Sequence, residues 1–167
     1  MIFRRGSSWL ALLLLAGLLA ACAYVAGQRP HVAHPRSEAA IALAALPSPV
    51  RVRVAHIVDG DTFRIFVALG SGETIVAPVR IRGVDTPEIH GACDTEIRAA
   101  REASRALSDL LRSGDVLLDQ IATDRYERVL ARVQIRQNGA LRDVAEVMVS
   151  GGYGRAYDGR KRAGWCG

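Results

Sequence analysis

Apolar and polar residues alternate along three consecutive segments that begin at residue 50. The segments 50–58, 62–69 and 74–82 place aliphatic or aromatic side chains at every second position, which is typical of strands with one buried face. Asp59-Gly60 separates the first two segments and residues 70–72 (Gly-Ser-Gly) separate the next two, and such residues favour tight turns. The pattern therefore predicts a three-stranded meander.

The hydrophobic period changes to that of a helix after residue 94. We expect a helix from Asp94 to about residue 113, two further strands at 116–121 and 129–135, and a short second helix that ends before Gly151. Five strands with the longer helix between the third and fourth predict a small β-barrel with helices, an α+β fold of the OB type. Because such barrels serve several purposes, the fold alone does not establish the function.

Residues 1–22 have the pattern of an export signal. Two arginines precede a 13-residue apolar stretch that ends at Ala21, and this stretch is too short to span a bilayer comfortably. Residues 19–22 (Leu-Ala-Ala-Cys) resemble the lipobox of bacterial lipoproteins, which implies lipidation of Cys22 and a membrane anchor on a periplasmic or surface protein. Cleavage after Ala23 would instead give a secreted protein, and an uncleaved segment would remain as an anchor. All three alternatives place the domain outside the cytoplasm.

Residues 23–49 contain four prolines and no sustained period, so we expect a flexible linker ahead of a domain at 50–167. The remaining cysteines, Cys93 and Cys166, would then lie in an oxidising compartment, where a disulfide is expected. A bond that closes so long a loop stabilises a domain by about 4 kcal/mol in the chain-entropy model. The alternative is a metal site, which would need further His or Cys at short spacing.

The positive charge is partly a property of the leader. Residues 1–50 hold four arginines and one glutamate, which leaves only +2 of the total +5 for the rest of the chain. Net charge is therefore weak evidence for nucleic-acid binding. Lys161 is the single lysine; arginine is the better bidentate phosphate ligand, although a GC-rich genome would produce the same bias.

Two short acidic motifs carry the candidate chemistry. Residues 59–62 (Asp-Gly-Asp-Thr) precede the second strand, and residues 84–88 (Val-Asp-Thr-Pro-Glu) follow the third. Because these points can lie at the same end of a meander, we expect Asp61, Asp85 and Glu88 to converge. Converging carboxylates repel one another unless a cation joins them, and oxygen ligands favour calcium or magnesium.

Two arginines complete the candidate site. Arg80 lies near the end of the third strand, and Arg128 opens the fifth. Either side chain alone is consistent with an ordinary solvated arginine. Together, beside a bound cation, they would form a clamp for a phosphodiester, whose transition state gathers negative charge.

These motifs, in this order, resemble the staphylococcal nuclease (thermonuclease-like) family over about residues 51–158. The resemblance rests on Asp-Gly-Asp-Thr, on Arg-x4-Asp-Thr-Pro-Glu and on Thr-Asp-Arg-Tyr-x-Arg. It implies a hydrolase, a calcium-dependent endonuclease that cleaves DNA or RNA and leaves 3′-phosphates, acting as a monomer. The implied roles are calcium binding by Asp61, Asp85 and the main-chain carbonyl of Thr86; activation or orientation of water by Glu88; phosphate binding by Arg80 and Arg128; and nucleotide contact by Tyr126 and Arg125.

The sequence departs from the family pattern at two points. Glu127 stands where the family often has glycine, and the C-terminal residues 157–167 are too short and too rich in glycine for the family's last helix. We expect Trp165 to pack on the barrel and residues 160–162 either to extend the nucleic-acid surface or to form a solvated basic tail. The alternatives to a nuclease are an OB-type module that binds nucleic acid without cutting it, and a structural envelope lipoprotein.

Overall fold

The structure is a computed structural model and describes residues 35–160 and 162–166. The predicted export signal, the lipidation of Cys22 and the first part of the predicted linker lie outside these residues. None of the helices that the structure describes is long and apolar enough to span a membrane.

The alternating segments form strands, as predicted, with bounds that differ by a few residues. The strands are β1 Val50–Ile57, β2 Thr62–Ala68, β3 Thr74–Ile81, β4 Val84–Asp85, β5 Asp115–Thr123, β6 Val129–Gln137, β7 Ala140–Asp143 and β8 Arg155–Ala156. The short strands β4, β7 and β8 are absent from the sequence prediction because two to four residues are too few to show a period of two.

Five of these strands close into the predicted OB-type barrel. The antiparallel order β3-β2-β1-β5-β6 is closed by parallel pairing of β3 with β6, and β7 extends the sheet beyond β6. Along β2, Phe63, Ile65 and Val67 point into the barrel and are buried, while the alternate positions face outward. The register pairs Thr62 with Arg80, so the motif at the start of β2 lies beside the arginine of β3.

Two helices confirm the helical prediction in the second half of the chain. The longer, α2, spans Asp94–Arg112 and buries Ala100, Ala103, Leu107 and Leu111 along one face. The shorter, α3, spans Val144–Ser150. It is preceded by Asp143, whose side chain accepts a hydrogen bond from the backbone N–H of Glu146. This is a standard N-terminal cap.

Residues 35–44 depart from the predicted flexible linker. They form a helix, α1, Pro35–Ala44, which lies against β2, β3, β5 and β6. Ala39, Ala40 and Leu43 are buried in the core of the barrel. The sequence hid this helix because its outer face is also apolar, with Ile41 exposed, so that no contrast between faces marks the helical period.

The predicted disulfide is present and fixes the C-terminal segment. Cys93, immediately before α2, is bonded to Cys166 with a Cα–Cα distance of 6.1 Å. Beyond Ser150 the described residues contain no helix. Trp165 is half-buried, and the guanidinium of Arg155 lies 3.6 Å from the centre of its ring. The segment is therefore anchored at its end and by its own side chains.

Candidate active site

The two acidic motifs meet at one end of the barrel. The backbone N–H of Thr86 donates to Asp61 Oδ2 at 3.1 Å, and the Thr62 hydroxyl donates to Asp61 Oδ1 at 2.9 Å. Asp61 and Asp85 each retain only 3% of their surface exposed. Both predicted carboxylate ligands are thus buried where the two motifs meet, and the backbone of Thr86 holds Asp61 there.

Gly60 allows this approach because no other residue fits between the two motifs. A Cβ at this position would lie 2.6 Å from Cβ of Ala103 and 2.8 Å from the hydroxyl of Thr86. Contacts this short are repulsive, so any side chain would push the turn away from α2 and from the loop after β4. The glycine of the Asp-Gly-Asp motif therefore has a packing role as well as a turn role.

Arg80 connects the carboxylates from the floor of the site. Its Nη2 lies 3.0 Å from Asp61 Oδ2 and 3.9 Å from Asp85 Oδ1, and its Nη1 donates to the carbonyl oxygen of Ile81 at 3.0 Å. The side chain is 5% exposed. Burial lowers the pKa of Arg80, while the charge of Asp61 opposes that shift. Arg80 therefore pairs with Asp61 of the first acidic motif and lies near Asp85 of the second.

Asp59 belongs to the same cluster, although the sequence analysis gave it no role. Burial, followed by the charge of Asp61, raises the pKa of Asp59 to about 7. Burial also raises the pKa of Asp85, with Arg162 opposing the shift. These shifts are the expected response of several carboxylates confined together without enough positive charge. The signal for Asp59 was its spacing from Asp61, because a tight turn folds both ends of Asp-Gly-Asp toward one point.

Glu88 is partly exposed at the mouth of this cluster and lines the cleft. Its loop is held by Glu96 of α2, which accepts hydrogen bonds from the backbone N–H of Ala92 at 2.9 Å and of Glu88 at 3.4 Å. Glu96 is itself buried. The supporting role of Glu96 could not be predicted from sequence, since the helix dipole alone favours a glutamate in the first turn of a helix.

Arg128 approaches the cleft from the hairpin between β5 and β6. Its Nη2 and Nε lie 2.7 and 2.8 Å from Asp124 Oδ2, and Asp124 Oδ1 accepts from the backbone N–H groups of Tyr126 and Arg128. Burial raises the pKa of Asp124, but these hydrogen bonds outweigh burial and lower it overall. These two contacts with one carboxylate oxygen orient the guanidinium of Arg128, whose side chain is a quarter exposed.

The cleft in front of the cluster has a volume of about 820 Å³ and brings the predicted residues together. Asp59, Arg80, Glu88 and Arg128 line it, together with the predicted nucleotide contacts Tyr126 and Arg125. Both of these last residues are exposed, and the Arg125 guanidinium lies 4.8 Å from the Tyr126 ring. Of the predicted functional residues only Cys22 lies outside the described residues. The residues that line the cleft come from separate segments of the chain.

The C-terminal segment contributes Tyr157 and Arg162 to the same cleft. Arg162 Nε lies 2.9 Å from Asp85 Oδ1, and Arg162 also pairs with Glu88 Oε1. The expectation of a solvated basic tail is therefore wrong for this residue. Only the disulfide and the pairing of β4 with β8 bring Arg162 back to the site, and local sequence carries no signal for that return.

Glu127, one of the two departures from the family pattern, adopts φ 61°. Its backbone N–H closes the hairpin turn onto the carbonyl of Asp124 at 2.9 Å. This left-handed conformation costs an L-residue about 1–2 kcal/mol and costs glycine almost nothing. The geometry explains why glycine suits this position.

We expect a Glu127→Gly variant to be more stable than a Glu127→Ala variant by about 1 kcal/mol, since both lose the carboxylate and only alanine keeps the Cβ that strains φ. Denaturant unfolding of the two variants measures the difference. In an ordinary strand or helix glycine is the less stable of the two, and that order here would contradict the strain argument.

The donor set fits a hard divalent cation. Asp59 and Glu88 line the cleft and Asp61 and Asp85 lie buried beneath it, and oxygen ligands of this kind suit calcium or magnesium. Among the described residues the group whose possible ligand atoms all lie within 4.8 Å of one another is instead Cys93, Glu96 and Cys166, but the disulfide leaves no thiolate for a metal. The described residues thus favour the carboxylate cluster over the sulfur group as a metal site.

Comparison with known proteins was made for the whole chain. A family model described as staphylococcal nuclease homologue matches residues 78–164, more than half of the sequence. Protein ParB of Escherichia coli is 32% identical over 139 residues, 77% of this chain and 71% of that protein.

Two proteins named probable endonuclease LCL3 are also similar. That of Clavispora lusitaniae is 30% identical over 128 residues, which cover 66% of this chain and 55% of the relative. That of Pyricularia oryzae is 31% identical over 128 residues, which cover 65% of this chain and 49% of the relative. The chain therefore spans about half the length of these two relatives.

Proposed function

The chain belongs to the staphylococcal nuclease homologue family, and we propose that it is a calcium-dependent endonuclease that hydrolyses DNA or RNA and leaves 3′-phosphates. The observation that carries the proposal is the convergence of Arg80, Arg128 and Glu88 on one cleft beside a buried pair of carboxylates. Two relatives with the name probable endonuclease give it independent support.

Asp61, Asp85 and the main-chain carbonyl of Thr86 are the proposed calcium ligands, and Asp59 lies in the same turn as Asp61, whose backbone N–H donates to Asp59 Oδ1. Calcium bound there would act as a Lewis acid on the phosphate and as a template for the substrate. The raised pKa values of Asp59 and Asp85 support this assignment. A cation would offset both the cost of burying the charged carboxylates and the repulsion from the charge of Asp61.

The chain's own residues then divide the chemistry. Glu88, at the mouth of the cluster, accepts the proton of the attacking water or orients that water. Arg80 and Arg128 donate to the non-bridging oxygens and offset the charge that gathers there in the transition state. The two arginines that offset this charge are already held in place, Arg80 by its contact with Asp61 in the barrel and Arg128 by its contact with Asp124.

Tyr126 and Arg125 form the proposed nucleotide contact. An exposed aromatic ring beside an arginine suits a base of either DNA or RNA, because stacking depends little on sequence.

We also propose that the protein acts as a monomer outside the cytoplasm, exported by residues 1–22 and anchored through Cys22; cleavage after Ala23 would make it secreted. This part rests on the sequence pattern alone.

The rival function is a barrel that binds nucleic acid without cutting it. A 5′-labelled single strand of DNA and its RNA counterpart, incubated with the protein and calcium, separate the two. We expect cleavage with 3′-phosphate ends, and we expect an Asp85→Asn variant, but not an Asp115→Asn variant, to cleave more slowly at the same calcium concentration. A mobility shift without cleavage would support the binding module, and 5′-phosphate ends would contradict the proposed direction of attack.

A further inference from the structure

The C-terminal segment is fixed on both sides of Arg162. Before Arg162, β8 pairs with β4 and places Arg155 opposite Asp85, and Tyr157 donates its backbone N–H to the carbonyl of Gly83 at 3.0 Å. After Arg162, the Arg155 guanidinium donates to the carbonyl of Gly164 at 3.0 Å, and the disulfide ties Cys166 to Cys93. Arg162 is therefore held near the site by contacts along most of the segment.

Close packing at Gly154 brings this segment tightly against the acidic loop. A Cβ at Gly154 would lie 2.8 Å from the carbonyl oxygen of Asp85 and 2.7 Å from Cγ2 of Val84. The chain can approach β4 this closely only with glycine at that position. The close packing of Gly154 against Val84 and Asp85 thus determines how near the residues after β8 lie to the cleft.

Arg162 contacts Asp85 and Glu88, two carboxylates that have different tasks in the proposed function. It contacts Asp85 Oδ1 at 2.9 Å through Nε and Glu88 Oε1 through Nη1, so one planar guanidinium bridges a proposed calcium ligand and the proposed general base. Asp85 is buried, whereas the Arg162 side chain is 38% exposed. The bridge can therefore open toward solvent without disturbing the core.

A guanidinium and a divalent cation cannot share these oxygens without cost. Each satisfies carboxylate lone pairs, and two cations in contact with the same oxygen repel each other. Arg80 already provides the positive charge on the buried side of Asp61 and Asp85. Arg162 provides it on the open side, from which an ion would enter.

We propose that Arg162, while paired with Glu88, competes with calcium for Asp85, and that the disulfide-anchored segment keeps it in position to do so. The inference rests on the proposed function, since it takes Asp85 as a calcium ligand and Glu88 as the neighbouring general base. Arg162 is then a positioning residue that balances the charge of Asp85 and Glu88 in the metal-free protein and leaves them when calcium binds. Its loss should make calcium binding tighter.

The sign of the effect distinguishes competition from simple support. If Arg162 only propped the carboxylates in their bound geometry, its removal would loosen the site and weaken calcium binding. Competition predicts the opposite change. Partly exposed ion pairs are individually weak, so the loss of the two pairs should lower the calcium dissociation constant about two- to thirtyfold.

Calorimetric titration of the protein with calcium alone tests the inference. We expect Arg162→Gln to bind calcium about two- to thirtyfold more tightly than the original protein. Arg162→Lys should give a smaller increase, since a single ammonium does not bridge two carboxylates as a guanidinium does. The matched control is Arg160→Gln, in the same segment, because Arg160 is exposed and pairs with Asp158; its affinity should not change.

A second variant tests the segment rather than the side chain. Replacing both Cys93 and Cys166 by serine releases the end of the segment and should also tighten calcium binding. Equal or weaker binding by Arg162→Gln would overturn the competition, and an unchanged affinity in the double serine variant would overturn the role of the disulfide. If neither the original protein nor Arg162→Gln binds calcium, the proposed metal site itself fails, which is a distinct result.

Discussion

A Glu88→Gln variant is expected to cleave about 10²- to 10⁴-fold more slowly than the original protein, the range over which a positioned general base contributes. Glutamine has almost the same shape as glutamate but accepts no proton, so the loss falls on the chemical step. Affinity for the nucleic acid should change little, because Arg80, Arg128 and Tyr126 remain in the cleft. Single-turnover cleavage measures the first effect, and binding to an uncleaved strand at equilibrium measures the second.

The matched control is Glu102→Gln. Glu102 lies on α2 and is exposed, so its substitution removes the same charge away from the cleft and should leave the cleavage rate unchanged. Equal rates for Glu88→Gln and the original protein would show that another group handles the proton. Loss of nucleic-acid binding in Glu88→Gln, together with loss of cleavage, would instead show that Glu88 acts in substrate binding.

Replacement of Arg80 by glutamine should affect both activity and stability. Loss of one group that stabilises transition-state charge slows a reaction about 10²- to 10³-fold. The same change leaves Asp61 buried without its 3.0 Å partner, and removing one member of a buried ion pair costs about 3–5 kcal/mol. Cleavage assays and denaturant unfolding measure the two effects separately.

Arg132→Gln is the control for this substitution. Arg132 also forms a 2.7 Å pair with an aspartate, Asp143, but its side chain is 40% exposed. Its loss should lower the free energy of unfolding much less than the loss of Arg80 does and leave cleavage unchanged. A comparable stability loss in both variants would contradict the argument that burial makes the Arg80 pair important.

Calcium should partly restore the stability of Arg80→Gln. A bound cation would supply positive charge near Asp61 and Asp85, and any ligand that binds only the folded state stabilises it. Unfolding of this variant with calcium and with a chelator measures the restoration. A variant that calcium does not stabilise would contradict the assignment of these carboxylates as calcium ligands.

The barrel could be predicted from sequence because its information is local. Each strand of the meander carries its own alternation, and a run such as Phe63, Ile65 and Val67 specifies its buried face without reference to the rest of the chain. Helix α2 is equally clear, since its buried residues recur at helical spacing. Helix α1 lacked this contrast between faces, and its packing against four barrel strands appears only in three dimensions.

The main site residues could also be predicted, because turns bring short motifs together. Asp61 and Asp85 lie at strand ends that a meander places side by side, and the resemblance to a known family supplied the partners Arg80 and Arg128. The structure brings all four to one cleft or to its buried floor. Their catalytic and metal-binding roles stay predictions until activity is measured.

Arg162 could not be predicted for a physical reason. It is 77 residues from Asp85 and 74 residues from Glu88 in the chain, and its contact with them depends on the β4–β8 pairing, on the packing at Gly154 and on the disulfide. A basic tripeptide near a chain end usually carries no such constraint. Only the combination of these distant contacts turns a surface arginine into a neighbour of the acidic cluster.

The single-turnover rate of strand cleavage as a function of free calcium tests the central claim most directly. We expect the rate to rise to a plateau with calcium and to fall to background in excess chelator, and the Asp85→Asn variant to need more calcium for the same rate. A cleavage rate that is the same with calcium and with chelator would contradict the claim that this carboxylate cluster is the calcium site of a nuclease.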